Sequence, residues 1–187
     1  TEKTLIMIPA YNEIDNLKEL LPGIVHHLPG CHILVIDSGS PDNTAGFIAQ
    51  TSAQDPRIHL ITRPFPDGRG LADLDGFRCA LSRDFEIIIQ MDADLSHNPR
   101  FLPGILAALE TSDVVIGSRL IPGGEMKDRT IARALFGGCE IQAVDEDDLL
   151  RQLEFRQPAV ERARDRRLVD LRIFRAHHDR RDALAEI

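Results

Sequence analysis

Short apolar runs separated by segments of helical periodicity constrain this chain more than any other feature. Leu5-Ile8, Ile33-Ile36, Ile58-Ile61, Glu86-Met91 and Asp113-Gly117 are each too short for a helix. Most are too continuously apolar for a sheet with one wet face, which is how strands buried on both sides read. Between the first two runs, Leu17, Leu20, Leu21, Ile24, Val25 and Leu28 recur at helical spacing, with Asp15 or Asn16 as the expected cap and Pro22 near the start. A turn at Ser38-Thr44 leads into a short helix reaching about Ala49. The Pro/Gly loop from Pro64 to Gly70 precedes a helix with Leu71, Leu74, Phe77, Arg78 and Leu81 along its inner side. Asn98-Pro99 opens another helix whose stripe is Phe101, Leu102, Ile105, Leu106 and Leu109. Strand and helix alternating in this way imply an α/β fold with a mostly parallel, doubly wound sheet.

With 187 residues and 43% apolar content, the chain suffices for one well-buried core and is short for two. A net charge of -8 gives no general attraction for nucleic acid or an anionic membrane. Cys31, Cys79 and Cys139 form no CxxC pair and read as reduced thiols. Thr4-Ile8, interrupted by Pro9, is too short for a secretory leader, and no apolar run approaches the roughly 18 residues of a membrane span. The expected location is the cytoplasm, with the cytoplasmic face of a membrane left open.

The pattern changes after about Pro122. Thirteen of the 22 Lys and Arg residues fall in 125–187, where no convincing buried strand is read and 149–181 reads as one or two charged amphipathic helices. Residues 1–124 are therefore expected to form the core and 125–187 an atypical charged helical extension.

Open parallel sheets bind ligands beyond the carboxyl ends of their strands, so the residues that follow each apolar run are the candidates for function. Asp92-Ala93-Asp94 follows Met91 directly. Two carboxylates one residue apart can share a Mg2+ or Mn2+ ion that neutralises a diphosphate, although a bare Asp-x-Asp is also an ordinary polar turn. Asp37 and Ser38 close the second run and offer hydrogen bonds to a base or ribose, or simply cap a helix. Pro9, Tyr11 and Glu13 suit a ligand wall or a packed strand-to-helix turn. Arg119 can grip phosphate oxygens or form a local ion pair. Arg63 and Arg69 could reach a phosphate or line a mobile rim. His97 reads equally as a site residue and as satisfied polar packing, while the adjacent pairs His26-His27 and His177-His178 do not face together as metal ligands would.

The segments Ile8-Pro9-Ala10-Tyr11-Asn12-Glu13, Val35-Ile36-Asp37-Ser38-Gly39-Ser40-Pro41-Asp42, Gly76-Phe77-Arg78, Met91-Asp92-Ala93-Asp94-Leu95-Ser96-His97-Asn98-Pro99 and Ile116-Gly117-Ser118-Arg119 together resemble the family 2 glycosyltransferases, specifically the dolichol- or polyprenol-phosphate mannosyltransferase group, over about residues 4–124. The resemblance implies a GT-A fold, a Rossmann-like three-layer sandwich around a mostly parallel sheet. It also implies an inverting hexosyltransferase that moves a sugar from a nucleotide sugar, GDP-mannose being the leading donor, to a polyprenyl (dolichyl) phosphate. By that resemblance Pro9, Tyr11, Glu13, Asp37 and Ser38 surround the nucleoside. Asp92, Ala93 and Asp94 hold the metal and diphosphate with Ser96 assisting, and Arg119 faces the phosphate or sugar, making Asp92, Asp94 and Arg119 the expected catalytic set.

Three departures stand out. Ser38 replaces the second aspartate of the usual Asp-Asp-Gly-Ser segment, Gly68-Arg69-Gly70-Leu71-Ala72-Asp73 lacks the usual aromatic, and no Thr-Ser-Gly-Phe-Arg segment follows Gly123-Gly124. A family 2 enzyme with another donor or acceptor, and a non-catalytic sugar-nucleotide-binding or scaffold protein, are the alternative readings. Oligomeric state is not legible.

Overall fold

The computed structural model describes residues 2–66, 68–83, 85–112 and 114–117, together with the backbone of 172–175. Each apolar run is a strand: β1 (Thr4–Ala10), β2 (His32–Asp37), β3 (Ile58–Thr62), β4 (Ile87–Gln90) and β5 (Val114–Ile116). Helices α1 (Ile14–His27), α2 (Thr44–Gln54), α3 (Arg69–Ser82) and α4 (Leu102–Ala108) lie between them, with a turn of 3-10 helix at Pro99–Phe101. A further strand, β6 (Arg172–Arg175), completes a sheet of order β3-β2-β1-β4-β6-β5. The first four strands in that order are parallel, and β6 runs antiparallel to both β4 and β5.

The α/β architecture is the one the strand-helix alternation predicts, and the pleat explains its layers. Ile6, Ile8 and Ala10 of β1 join Ile33 and Val35 of β2 in a core closed by Leu17, Leu20 and Ile24 of α1, Ile48 of α2 and Leu102 of α4. Leu5, Met7, Leu34 and Ile36 point the other way and meet Ala72 and Ala80 of α3. Successive strands step outward from β1 to β3, and then α3 carries the chain back across the opposite face to β4. Right-handed crossovers require that change of face when the direction of succession reverses. The reversal makes β1 and β4 neighbours at the topological switch point.

Several local expectations need correction. The start of α1 is not capped by Asp15 or Asn16. Glu13 occupies the cap position without a side-chain cap bond, and the turn is held by the loop after β2. Ser40 Oγ accepts from Asn12 N–H at 2.9 Å, Thr44 Oγ1 from Glu13 N–H at 3.3 Å, and Asp42 Oδ2 from Ile14 N–H at 3.2 Å. Pro22 is tolerated inside α1, and α2 continues past Ala49 to Gln54. The buried side of α3 is Ala72, Gly76 and Ala80, with Leu71 exposed, because this helix lies close enough to the sheet that a Cβ on Gly76 would sit 3.0 Å from Met7 Cε and 3.2 Å from Ile36 Cδ1. Phe101 is exposed rather than part of the α4 stripe, with the Arg100 guanidinium 4.6 Å above its ring.

Arg172–Arg175 corrects the helical reading of 149–181 for those four residues: their backbone supplies ladder partners to β4 on one side and β5 on the other. Unpaired strand edges would otherwise face each other there. The remainder of 118–187, including Arg119, Cys139 and the boundary at 124, lies outside the described residues. Cys31 and Cys79 are free thiols, and burial pushes Cys31 up to about 11.

Candidate active site

The ladder bonds that continue past the strand ends bring three loops together. Met91 N–H donates to Met7 O at 3.0 Å and Ser38 N–H donates to Ala10 O at 3.0 Å, so the segment after β1 is flanked by Ser38 on one side and Asp92 on the other. The result is an open cleft of about 290 Å3, lined by Pro9, Tyr11, Glu13 and Ser38 on one wall and Asp92, Ala93 and Asp94 on another. Pro66, Gly68, Arg69 and Ala72, at the start of α3, form the third. This is the crevice at the switch point, where the geometry of a doubly wound sheet places ligands.

Asp92 is tied down from three directions. Its N–H donates to Nδ1 of the buried His97 at 2.9 Å, its Oδ2 lies 3.8 Å from His97 Nε2, and its Oδ1 accepts a short hydrogen bond from an Arg69 Nη2–H. His97 therefore props the carboxylate loop from below, where the sequence left it undecided. Leu95 holds the turn in a left-handed conformation, φ 60°, while its side chain packs on the core. That turn lets Ser96 N–H reach back to Asp94 Oδ1 at 3.1 Å. Burial would raise the Asp94 carboxyl, but the Ser96 hydroxyl and N–H, with His97 and Arg69 nearby, hold it below its ordinary value. Asp94 is thus an anion across the neutral range.

Among the described residues no group of three or more His, Cys, Asp and Glu encloses a metal position. The oxygens of Asp92 and Asp94, with Ser96 beside them, form a hard and open donor set. Such a set fits Mg2+ or Mn2+, which retain waters and take up phosphate oxygens, and it does not fit a closed zinc site.

Of the other sequence candidates, Asp37 is buried and is not among the residues that line the cleft. Ser40 N–H donates to its Oδ2 at 3.2 Å, and the Ser40 hydroxyl makes a short bond to its Oδ1. Ser38, its neighbour, lines the cleft instead. Arg63 pairs with Asp75 of α3 at 3.4 Å and is not at the rim, whereas Arg69 is. Gly68, at φ 112°, permits the abrupt entry into α3 that points Arg69 at Asp92. The helical patterning of 71–81 carries no hint of that contact, since it depends on a loop 23 residues further along.

Residues 5–170 match the profile described as glycosyl transferase family 2. The chain belongs to this family. Among curated family relatives, an undecaprenyl-phosphate mannosyltransferase from Micrococcus luteus is 41% identical over 133 residues, 71% of this chain and 55% of its own length. A polyprenol monophosphomannose synthase from Mycolicibacterium smegmatis is 44% identical over 131 residues, 68% of this chain and 49% of its own. The chain thus spans about half the length of the curated relatives it matches. The mannosyltransferase PcManGT from Pyrobaculum calidifontis, solved in complex with GDP-Man and Mn2+, is alike in fold, with a TM-score of 0.50 over 61% of this chain and 34% of that one at 24% identity. The GT-A-like, mostly parallel α/β sheet agrees with family membership.

Proposed function

We propose that this family 2 chain transfers a sugar from a nucleotide-sugar donor with the help of a divalent cation, and that the donor is GDP-mannose and the acceptor a polyprenyl phosphate. One observation carries the reading: Asp92-Ala93-Asp94, at the end of β4, shares a single cleft with Pro9, Tyr11, Glu13 and Ser38 at the switch point of the sheet. The mannosyltransferase names of the relatives from Micrococcus luteus and Mycolicibacterium smegmatis support the choice of sugar and lipid.

In this reading Pro9, Tyr11, Glu13 and Ser38 receive the nucleoside, and Asp37 stiffens their wall through Ser40. Asp92 and Asp94, assisted by Ser96, hold Mg2+ or Mn2+, which when bound neutralises charge on the departing diphosphate. An oxygen of the acceptor phosphate attacks the sugar C1 as the bond from C1 to the nucleoside diphosphate breaks, inverting the anomeric centre. An ionised phosphate needs no strong protein base, so Asp94 orients and need not take a proton. Arg119 is assigned to the phosphate or sugar, residues 1–124 to the donor-binding core and 125–187 to the extension. Among the described residues no helix is long and apolar enough to cross a membrane. A polyprenyl phosphate resides in a bilayer, so this reading assigns the transfer to the cytoplasmic face of a membrane.

The test is labelled GDP-mannose with Mn2+ and a polyprenyl phosphate, reading both donor binding and lipid-linked product. Asp92→Ala and Asp94→Ala should each weaken metal-dependent donor binding and remove transfer. A folded double variant with unchanged transfer would sink the assignment. Binding without turnover would favour a non-catalytic binder, and transfer to a glycan or protein would change the acceptor.

A further inference from the structure

We propose that Arg69 competes with a divalent cation for Asp92, and that a nucleoside diphosphate relieves the competition by taking the guanidinium, so that cation and diphosphate bind as a strongly coupled pair. The inference rests on the diphosphate reading of the cleft.

Asp92 Oδ1 accepts from Arg69, and Asp92 Oδ2 faces the His97 imidazole 3.8 Å away. Both oxygens already confront nitrogen, so a cation can reach Asp92 Oδ1 only as the guanidinium leaves it. Two positive groups cannot share that oxygen without strong repulsion.

Arg69 is held there by charge more than by packing. Its side chain is 51% exposed, and its Nε stands 3.9 Å from Asp73 Oδ2. Partial burial alone would lower its affinity for a proton; the hydrogen bond to Asp92 and the charges of Asp92, Asp73 and Asp94 outweigh that and raise it. A single guanidinium thus serves three carboxylates, of which Asp92 and Asp94 line the cleft. A group so placed can swing a short distance without unfolding anything, because it is the first residue of α3 and follows Gly68.

A free guanidinium beside a bound cation is costly unless an anion joins them. A diphosphate supplies that anion, offering oxygens to the guanidinium in the forked geometry it prefers and to the cation at once. Asp92 and Asp94 alone are a thin donor set, so the same diphosphate oxygens also complete the cation's shell. By linkage, whatever diphosphate does for the cation, the cation does equally for diphosphate.

The experiment is a Mn2+ titration of the full chain, reading free Mn2+ by electron paramagnetic resonance, with no nucleotide and with saturating GDP. It compares wild type, Arg69→Met and Arg69→Lys, with circular dichroism confirming that each is folded. Arg69→Met should bind Mn2+ alone about tenfold more tightly than wild type, and the enhancement of Mn2+ binding by GDP should shrink by a similar factor. Arg69→Lys, which keeps the charge, should stay near wild type in the nucleotide-free titration. Unchanged or weaker nucleotide-free Mn2+ binding in Arg69→Met overturns the proposal, as does Arg69→Lys behaving like Arg69→Met. A wild-type chain that binds no Mn2+ even with GDP overturns the diphosphate reading and this inference with it.

Discussion

Replacing Asp42 with alanine tests whether the nucleoside wall is held together by the side chains of the loop after β2. Asp42 accepts three hydrogens: Ile14 N–H at 3.2 Å, Thr44 N–H at 3.0 Å and the Thr44 hydroxyl at 2.6 Å. Thr44 is itself fully buried, and its oxygen accepts from Glu13 N–H. Removing the carboxylate leaves the first turns of two helices short of an acceptor. Losing a helix-start acceptor costs about 1 kcal/mol. Orphaning the Thr44 donors adds about 1 kcal/mol more. Together these give roughly 2 kcal/mol, or a fall in Tm of about 4–8 °C for a domain of this size. Urea unfolding with the slope held constant reads the loss directly.

The same network fixes the pH dependence. Burial tends to raise the Asp42 carboxyl, but the Thr44 hydroxyl and the N–H groups of Ile14 and Thr44 outweigh it, and the net shift is downward. A carboxyl depressed in the folded state stabilises above its unfolded value of 3.8, and that stabilisation is lost as pH falls through the lower folded value. The gap between wild type and Asp42→Ala should therefore be full at neutral pH and narrow below about pH 4. Thr44→Val should remove part of the same energy, so the double variant should fall short of additivity by at least about 0.5 kcal/mol. A gap under about 0.5 kcal/mol at neutral pH, no larger than an ordinary surface substitution gives, would refute the reasoning. So would strict additivity with Thr44→Val.

Other substitutions probe separate parts of the structure. Gly76→Val should destabilise by about 2 kcal/mol through overpacking against Met7 and Ile36, whereas Gly76→Ala should stay within about 1 kcal/mol of wild type because the nearest atom is the flexible end of Met7. Equal urea midpoints for Val and Gly would contradict the close approach of α3. His97→Leu, similar in bulk but lacking an acceptor for Asp92 N–H, should weaken Mn2+ binding at the proposed cation site by roughly tenfold. Unaltered Mn2+ affinity would leave His97 as packing only. Asp55, held down at about 2 chiefly by its hydrogen bonds from Arg57, contributes stability that is full above its ordinary 3.8 and is lost as pH falls from there through about 2. Asp55→Asn should flatten this part of the acid unfolding profile, and an unchanged profile would show the pair to be idle.

What could be read from the chain, and what could not, divides by how far away the deciding partner lies. Strands buried on both faces announce themselves in Leu5-Ile8 and Ile33-Ile36, because burial there depends on their own side chains. Asp92-Ala93-Asp94 is legible for the same reason: the strand before it fixes its position. The cap of α1 was misread because its acceptors come from Ser40, Asp42 and Thr44, some 28 to 31 residues ahead. The inner side of α3 is legible only in part: Phe77 and Leu81 pack against the core as their spacing predicts, but the close approach to the sheet puts the small Ala72, Gly76 and Ala80 innermost and leaves Leu71 exposed. In Arg172–Arg175 two arginines flank Ile173 and Phe174, and a charge pattern suited to a helix concealed a strand whose partners are β4 and β5. The candidate site shows both cases on the two loops that flank the end of β1. Asp92 was found by its place after a strand, and Asp37 was found by the same rule, yet Ser40 satisfies Asp37 while Arg69 and His97 converge on Asp92. Position after a strand nominates a carboxylate, and the partners the fold gives it decide how open it stands to a ligand: here Arg69 and His97 contest Asp92, while Ser40 of its own loop bonds Asp37.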